Sequence, residues 1–255
     1  MKVSVNIVTR NRPALLTRAV ESVLAQDFDD YEIVVVDNAG IDDEHAQRFH
    51  NPKIKQIDCP TVERGQTKAR NEALRHSEGE YIAVLDDDDV FADRNKLRKQ
   101  VEFLDENPDY VLMGTDLTLV SPEGVILGQK VYPHNDSEIR GMFLVSNPFC
   151  HSAVMFRRKV VMDIGCYESV GRMWNTDDYK LWLKLGLVGK MKNLEMFGTG
   201  YTSWPNTYSL KHRLKLYWHN FGMARDFSKD YPNFWKAVKR YIWQLPLEYI
   251  LGKRW

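Results

Sequence analysis

The runs Glu32-Ile33-Val34-Val35-Val36 and Tyr81-Ile82-Ala83-Val84-Leu85 are apolar at almost every position rather than at every second one. A strand with one wet face alternates and a strand covered on both faces does not, so these runs belong inside a sheet flanked by helices on both faces. The segments between them supply the helices. Pro13 stands where a helix begins, ahead of Leu15, Leu16, Ala19, Val20, Val23 and Leu24 at helical spacing. Val3, Val5, Ile7 and Val8 precede it as a first strand. After the second strand comes a polar helix candidate from Asp42 to Phe49, then a weaker unit with Ile54 to Ile57 as strand and Gln66 to His76 as helix. Strands alternating with helices predict an α/β fold with a mostly parallel central sheet. Ligands of such sheets bind at the carboxyl ends of the strands.

Three of those ends are polar. The first strand runs into Thr9-Arg10-Asn11-Arg12, the second into Asp37-Asn38 and the fourth into Asp86-Asp87-Asp88-Asp89. Four carboxylates at the mouth of a buried strand repel one another and lose hydration, which asks for positive charge beside them. A divalent metal is the simplest source: Asp86 and Asp88 form an Asp-x-Asp that offers hard ligands to Mg²⁺ or Mn²⁺ and leaves positions open for phosphates. The competing reading is a solvated acidic turn.

Beyond Asp93, Leu97, Val101 and Leu104 mark another helix, and Tyr110 to Val120 with Val125 to Val131 read as a hairpin around Ser121-Pro122-Glu123-Gly124. Ser152 to Phe156 reads as strand. Asp177 to Leu187 reads as a helix that Asn175 or Thr176 could cap, with Asp177 and Asp178 in its first turn. After Gly200 aromatics and basic residues dominate, and the chain divides into a domain over 1–208 and a helical C-terminal extension over 209–255. The mixture of Trp235, Lys236, Lys239, Arg240, Tyr241 and Trp243 suits an interfacial helix on a membrane. It suits equally a helix folded on the first domain or paired with a second subunit.

Lys plus Arg equals Asp plus Glu at 35 each, so no global basic field argues for nucleic acid. The three cysteines, Cys59, Cys150 and Cys166, form no Cys-x-x-Cys pair, which fits a reducing cytoplasm. No apolar run approaches the roughly 18 residues that span a bilayer. The opening Met1 to Ile7 reads as the first strand rather than as a signal peptide.

The first β-α turn carries no glycine, which excludes a Gly-x-Gly-x-x-Gly fingerprint, and no phosphate loop of the Gly-x-x-x-x-Gly-Lys kind occurs. Five segments together resemble glycosyltransferase family 2, inverting nucleotide-sugar enzymes of the GT-A fold. They are Val3 to Pro13, Ile33 to Asn38, Arg64-Gly65-Gln66-Thr67-Lys68-Ala69-Arg70-Asn71, Leu85 to Asp89, and Thr176-Asp177-Asp178-Tyr179-Lys180-Leu181-Trp182. The resemblance implies a Rossmann-like nucleotide-binding domain. It implies that Asp37 meets the nucleobase in a pocket with Thr9, Asn11 and Arg12, that Arg70 faces base or diphosphate, and that Asp86 and Asp87 lie by the nucleotide. Asp88 and Asp86 would hold Mn²⁺ or Mg²⁺, and Asp178 would be the catalytic base, with Asp177 standing where relatives carry glutamate. His212, with Arg213, falls where relatives place a residue touching the diphosphate. His151 and Lys68 read more simply as a structural histidine and a surface lysine.

The activity so implied is transfer of a sugar from a nucleotide-diphosphate donor, UDP-linked by preference, to a saccharide or lipid-linked saccharide in cell-surface polysaccharide synthesis. The site is expected in the cytoplasm, with membrane contact or a homodimer through the C-terminal helices. Two alternatives stand beside it: a metal-dependent nucleotidyltransferase and a catalytically silent sugar-nucleotide-binding subunit.

Overall fold

The computed structural model describes residues 1–38, 49–58, 65–169, 176–204 and 210–244, with side chains described except at 210–214 and 243–244. Most of the expected helix from Asp42, together with Cys59, Arg64 and Asn175, lies outside these residues. The chain forms two compact units, one of 1–132 with 149–204 and one of 133–148 with 205–255.

The first unit is built on β1 (Val3–Thr9), α1 (Pro13–Leu24), β2 (Tyr31–Asp37), β3 (Ile54–Asp58), α2 (Gln66–His76) and β4 (Tyr81–Asp86). Strands β3, β2, β1 and β4 lie side by side in that order, all parallel. As the unbroken apolar runs require, every residue of β2 is buried and β4 is buried from Tyr81 to Leu85. Helix α1 starts with Pro13 in its first turn and turns Leu16, Ala19, Val20 and Val23 onto the sheet. These residues join Val3, Val5, Ile7, Ile33, Val35 and Leu85 in the main core. Helix α2 places Ala69 and Ala73 with Val34 and Val36 in a second cluster.

Past β4 the sheet becomes mixed. The remaining elements of this unit are β5 (Val90–Phe91), α3 (Lys96–Glu106), β6 (Tyr110–Val120), β7 (Ile126–Lys130), β8 (Met155–Arg157), α5 (Arg158–Asp163), α6 (Asp177–Val188) and β9 (Lys190–Thr202). Strand β8 is antiparallel to β4 and to β6, β6 is parallel to β9, and β5 closes antiparallel on β9. Strands β6 and β7 form the expected hairpin. The strand expected from Ser152 starts later, because His151–Ala153 is a turn of 3₁₀ helix. There the Ser152 hydroxyl accepts from the Asp86 amide (3.1 Å) and donates to Asp89, which holds this segment out of the ladder.

The second unit contains α4 (Asp136–Met142), α7 (Leu210–Asp226), α8 (Phe234–Val238) and a π-helical turn at Lys239–Gln244. Asn135 and Glu138 cap α4 reciprocally, the Glu138 amide donating to Asn135 Oδ1 at 3.1 Å. The rings of Phe143 and Tyr231 meet at 4.9 Å, and Asn233 Nδ2 donates to the Gly141 carbonyl at 2.9 Å. Among the described residues no helix is long and apolar enough to cross a membrane.

One core residue is chemically out of place. Lys96, at the start of α3, is fully buried, donates to Gln100 Oε1 at 2.9 Å and sits 4.0 Å from the centre of the Phe91 ring. Burial lowers its pKa from the usual 10.5 to about 7. In that window the unfolded chain holds a proton that the folded chain does not, so stability rises with pH across it. We expect unfolding free energies to climb between pH 7 and 10.5 by about 1.4 kcal/mol per pH unit from this one group. Lys96→Met should remove that slope in urea titrations and stabilise the protein most at the acid end.

Candidate active site

Strand β1 lies between β2 and β4, so the crevice at the carboxyl ends of β1 and β4 is the switch point of the parallel half of the sheet. Register fixes what meets there: Thr9 is level with Asp37 on β2, and Val8 with Asp86 on β4. Asp37 is buried at the end of β2. Asn11 holds the β1-α1 turn at a φ of 55°, a left-handed conformation that asparagine tolerates better than most residues.

The four aspartates at the carboxyl end of β4 have four different environments. Asp87 is buried, accepts from Thr9 Oγ1 at 2.7 Å and pairs with Arg12 Nη1 at 3.2 Å. Burial pushes its carboxyl up against the opposing pull of Thr9 and Arg12. Asp89 is buried deeper, accepting from the Thr202 amide at 2.7 Å and from Ser152, and burial beside Asp86 lifts its pKa well above the usual range. It pins the loop to β9. Asp88 Oδ2 accepts from Trp204 Nε1 at 2.9 Å and pairs with Arg12 at 3.2 Å, while its carbonyl accepts from Arg18 and Thr202.

Asp86 faces a buried network. Its Oδ1 lies 3.0 Å from His151 Nδ1 and 3.5 Å from Arg70 Nη2. Burial works against ionisation there, but His151 and Arg70 together hold the carboxyl well below its ordinary range. Arg70 also donates through Nη1 to Asp177 Oδ1 at 2.7 Å, and its Nη2 lies 3.2 Å from His151 Nδ1. His151 Nε2 in turn lies 3.1 Å from the Tyr167 hydroxyl. Asn71 holds Tyr167 from both sides, donating to its carbonyl at 2.9 Å and accepting from its amide at 3.1 Å. A small cavity beside this network is lined by Asn6, Val84, Arg70, Asp86, His151 and Tyr167.

Helix α6 brings the second acidic pair. Trp182 is fully buried, with the rings of Phe156, His151, Tyr167 and Phe149 at 5.9, 6.2, 6.4 and 6.5 Å. Asp178 precedes Trp182 by one helical turn and so shares its face. Thr176 stands at the N-cap, but its side chain makes no capping bond, contrary to the expectation from sequence. Asp177 is buried on Arg70, whereas Asp178 is only half-buried. Burial raises the Asp178 carboxyl, with His151 and Arg70 opposing and Asp177 reinforcing the rise.

The structure therefore gathers Thr9, Arg12, Asp87 and Asp88 into one group, and Asp86, Arg70, His151 and Asp177 into another. Lys68 is exposed. His212 belongs to α7, and its side chain lies outside the described residues. Tyr167, Trp204, Thr202 and Ser152 complete the site without having been singled out by sequence. Only Ser152, next to His151, carried any sequence signal. No group of three or more His, Cys, Asp or Glu able to hold a metal occurs among the described residues. The hard oxygen donors at this crevice are the carboxylates of Asp86 and Asp88, the ligand type that Mg²⁺ and Mn²⁺ take, with Asp86 Oδ1 and Asp88 Oδ2 each held by side chains of the site.

An acid-lined crevice at the switch point of an α/β sheet is the architecture of a nucleotide-binding domain. The profile of Glycosyl transferase family 2 matches residues 4–165, and the chain belongs to that family. It is 31% identical over 188 residues to EpsE of Bacillus subtilis (strain 168), covering 72% of this chain and 66% of that protein. It is 29% identical to the O-antigen biosynthesis glycosyltransferase WbnJ of Escherichia coli, covering 66% of this chain and 65% of that protein. The chain thus spans just under two thirds of these relatives' length. Among solved structures, the mannosyltransferase PcManGT from Pyrobaculum calidifontis in complex with GDP-Man and Mn²⁺ shares the GT-A fold. Its TM-score is 0.64 at 20% identity, over 88% of this chain and 64% of that one.

Arg70 should be the most costly residue of the site to remove. Arg70→Ala leaves Asp177 buried and unpaired, for an expected loss of about 3–5 kcal/mol in urea unfolding. Adding Asp177→Asn should restore much of it.

Proposed function

We propose that this protein transfers a sugar from a nucleoside-diphosphate donor, UDP-linked by preference, to a hydroxyl of a saccharide or lipid-linked saccharide, with inversion at the anomeric carbon. The observation that carries the reading is the bridge through Arg70, which ties Asp86 at the strand ends to the first turn of α6, where Asp178 stands. Asp86 belongs to the donor side and Asp178 to the acceptor side. The family and the biosynthetic names of relatives support this, WbnJ for O-antigen and AmsE of Erwinia amylovora for amylovoran. They favour a place in cell-surface polysaccharide synthesis. The solved neighbours in complex with GDP-Man and with UDP support a nucleotide donor.

In this reading Asp37 and the β1-α1 turn receive the base, and Asp86 and Asp88 face the diphosphate. Asp86 and Asp88 would hold a divalent ion there, which would supply positive charge to the departing diphosphate. Asp178 takes the proton of the attacking hydroxyl at one of its carboxylate oxygens. Asp177 keeps Arg70 in place and is a positioning residue. A nucleotidyltransferase has no use for Asp178, which separates that alternative, and a silent binding subunit would bind donor without turnover.

Asp178→Asn should lower transfer about 10²- to 10⁴-fold while leaving the thermal shift by UDP and Mn²⁺ intact. Full activity in that variant would end the proposal. Because burial raises this carboxyl, kcat/KM should fall on acidification at a pH above the ordinary aspartate range near 3.9.

A further inference from the structure

The helices of the second unit carry charge that the rest of the chain offsets. Residues 210–244 hold eight Lys or Arg against two Asp, in a chain whose overall charge is zero. The same stretch holds an aromatic cluster: the Phe221 ring lies 6.1 Å from Trp218, 6.2 Å from Tyr241 and 6.5 Å from Phe234, and Phe234 lies 5.7 Å from Trp235. The cluster is inward at its centre and outward at its ends. Phe221 and Phe234 are half-buried, whereas Trp218 is 63% exposed and Trp235 79%. Lys215 stands one turn before Trp218, and Lys236 and Lys239 follow Trp235, all three exposed.

Two large indoles held in water by a packed aromatic base, with ammonium groups beside them, match the chemistry of a headgroup layer. Indole favours the boundary between water and hydrocarbon, and lysines there gain from anionic lipid. A second copy is the poorer occupant, because a two-fold interface lays the same positive face against itself. The chain's own segment 245–255 is poor cover for the same reason, with Lys253 and Arg254 against Glu248. With no helix among the described residues able to cross, the unit would lie on the bilayer. We propose that Trp218 and Trp235, flanked by Lys215, Lys236 and Lys239, form a docking face for an anionic lipid bilayer. This stands independently of the transfer reading.

The test is co-sedimentation of the full chain with vesicles of phosphatidylcholine alone or mixed with phosphatidylglycerol, with tryptophan emission followed in parallel. Binding is expected only to the mixed vesicles, with a blue shift, and should weaken at least tenfold as salt rises from about 0.05 to 0.5 M. Lys236→Glu with Lys239→Glu should weaken it more than about tenfold. Trp218→Ser with Trp235→Ser should abolish the blue shift. All four positions are exposed, and a thermal melt matching the parent shows that each variant folds. No binding to the mixed vesicles, equal binding to neutral ones, or binding unchanged in both folded variants would overturn the proposal. A concentration-dependent dimer, lost in the tryptophan variant and without vesicle binding, would overturn it in favour of a second copy.

Discussion

The site depends on one buried guanidinium. Arg70 lies 107 residues before Asp177 in sequence, yet it joins that carboxylate to Asp86 in a place almost sealed from water. Burial alone would drive a cation out of its charged state, and a carboxylate out of its own. Here the opposing charges hold Arg70 more firmly protonated than usual and Asp86 more firmly ionised, despite the loss of solvent. Loss of Arg70 would leave Asp177, 2% exposed, charged with neither water nor its cation. The carboxyl end of β4 and the amino end of α6 are therefore tied to each other through Arg70, and His151, which meets Asp86, packs on Trp182 of α6.

The run Asp86 to Asp89 shows why a sequence argument about charge must be resolved residue by residue. As a string it is four identical repelling groups in want of a cation. In the fold, much of that demand is met from within: Arg12 pairs with Asp87 and Asp88, and Arg70 with Asp86. Asp89 answers differently, since burial drives its pKa upward while Ser152 and the Thr202 amide donate to it. Each member of the run thus meets its own set of partners.

Where a signal is local the sequence was legible. Helix α2 runs from Gln66 to His76 as its spacing predicts, and β4 ends within one residue of the apolar run that marks it. Pairing across long separations was not. The parallel contact of β6 with β9 joins segments some 80 residues apart, and nothing in the period of either names its partner. The same holds in the site. Tyr167 and Trp204 come from segments outside helix and strand, and only the folded chain brings them to His151 and Asp88. The 3₁₀ turn at His151 escaped because it answers to hydrogen bonds with Asp89 and the Asp86 amide, not to its own composition.

The environment of Asp178 is a competition whose outcome propensity alone does not decide. A carboxylate in the first turn of a helix is favoured in its ionised form by the N–H groups there, and sequence reasoning stops at that point. Burial of the site adds the larger effect, since it penalises charge, and Asp177 alongside adds repulsion. His151 and Arg70 pull the other way without prevailing. A carboxyl raised above its ordinary range accepts a proton more readily than a surface aspartate, which is the property a hydroxyl-activating base needs. Asp177, in the same turn, is engaged differently, its Oδ1 accepting from Arg70. Two adjacent aspartates on one helix thereby meet different surroundings.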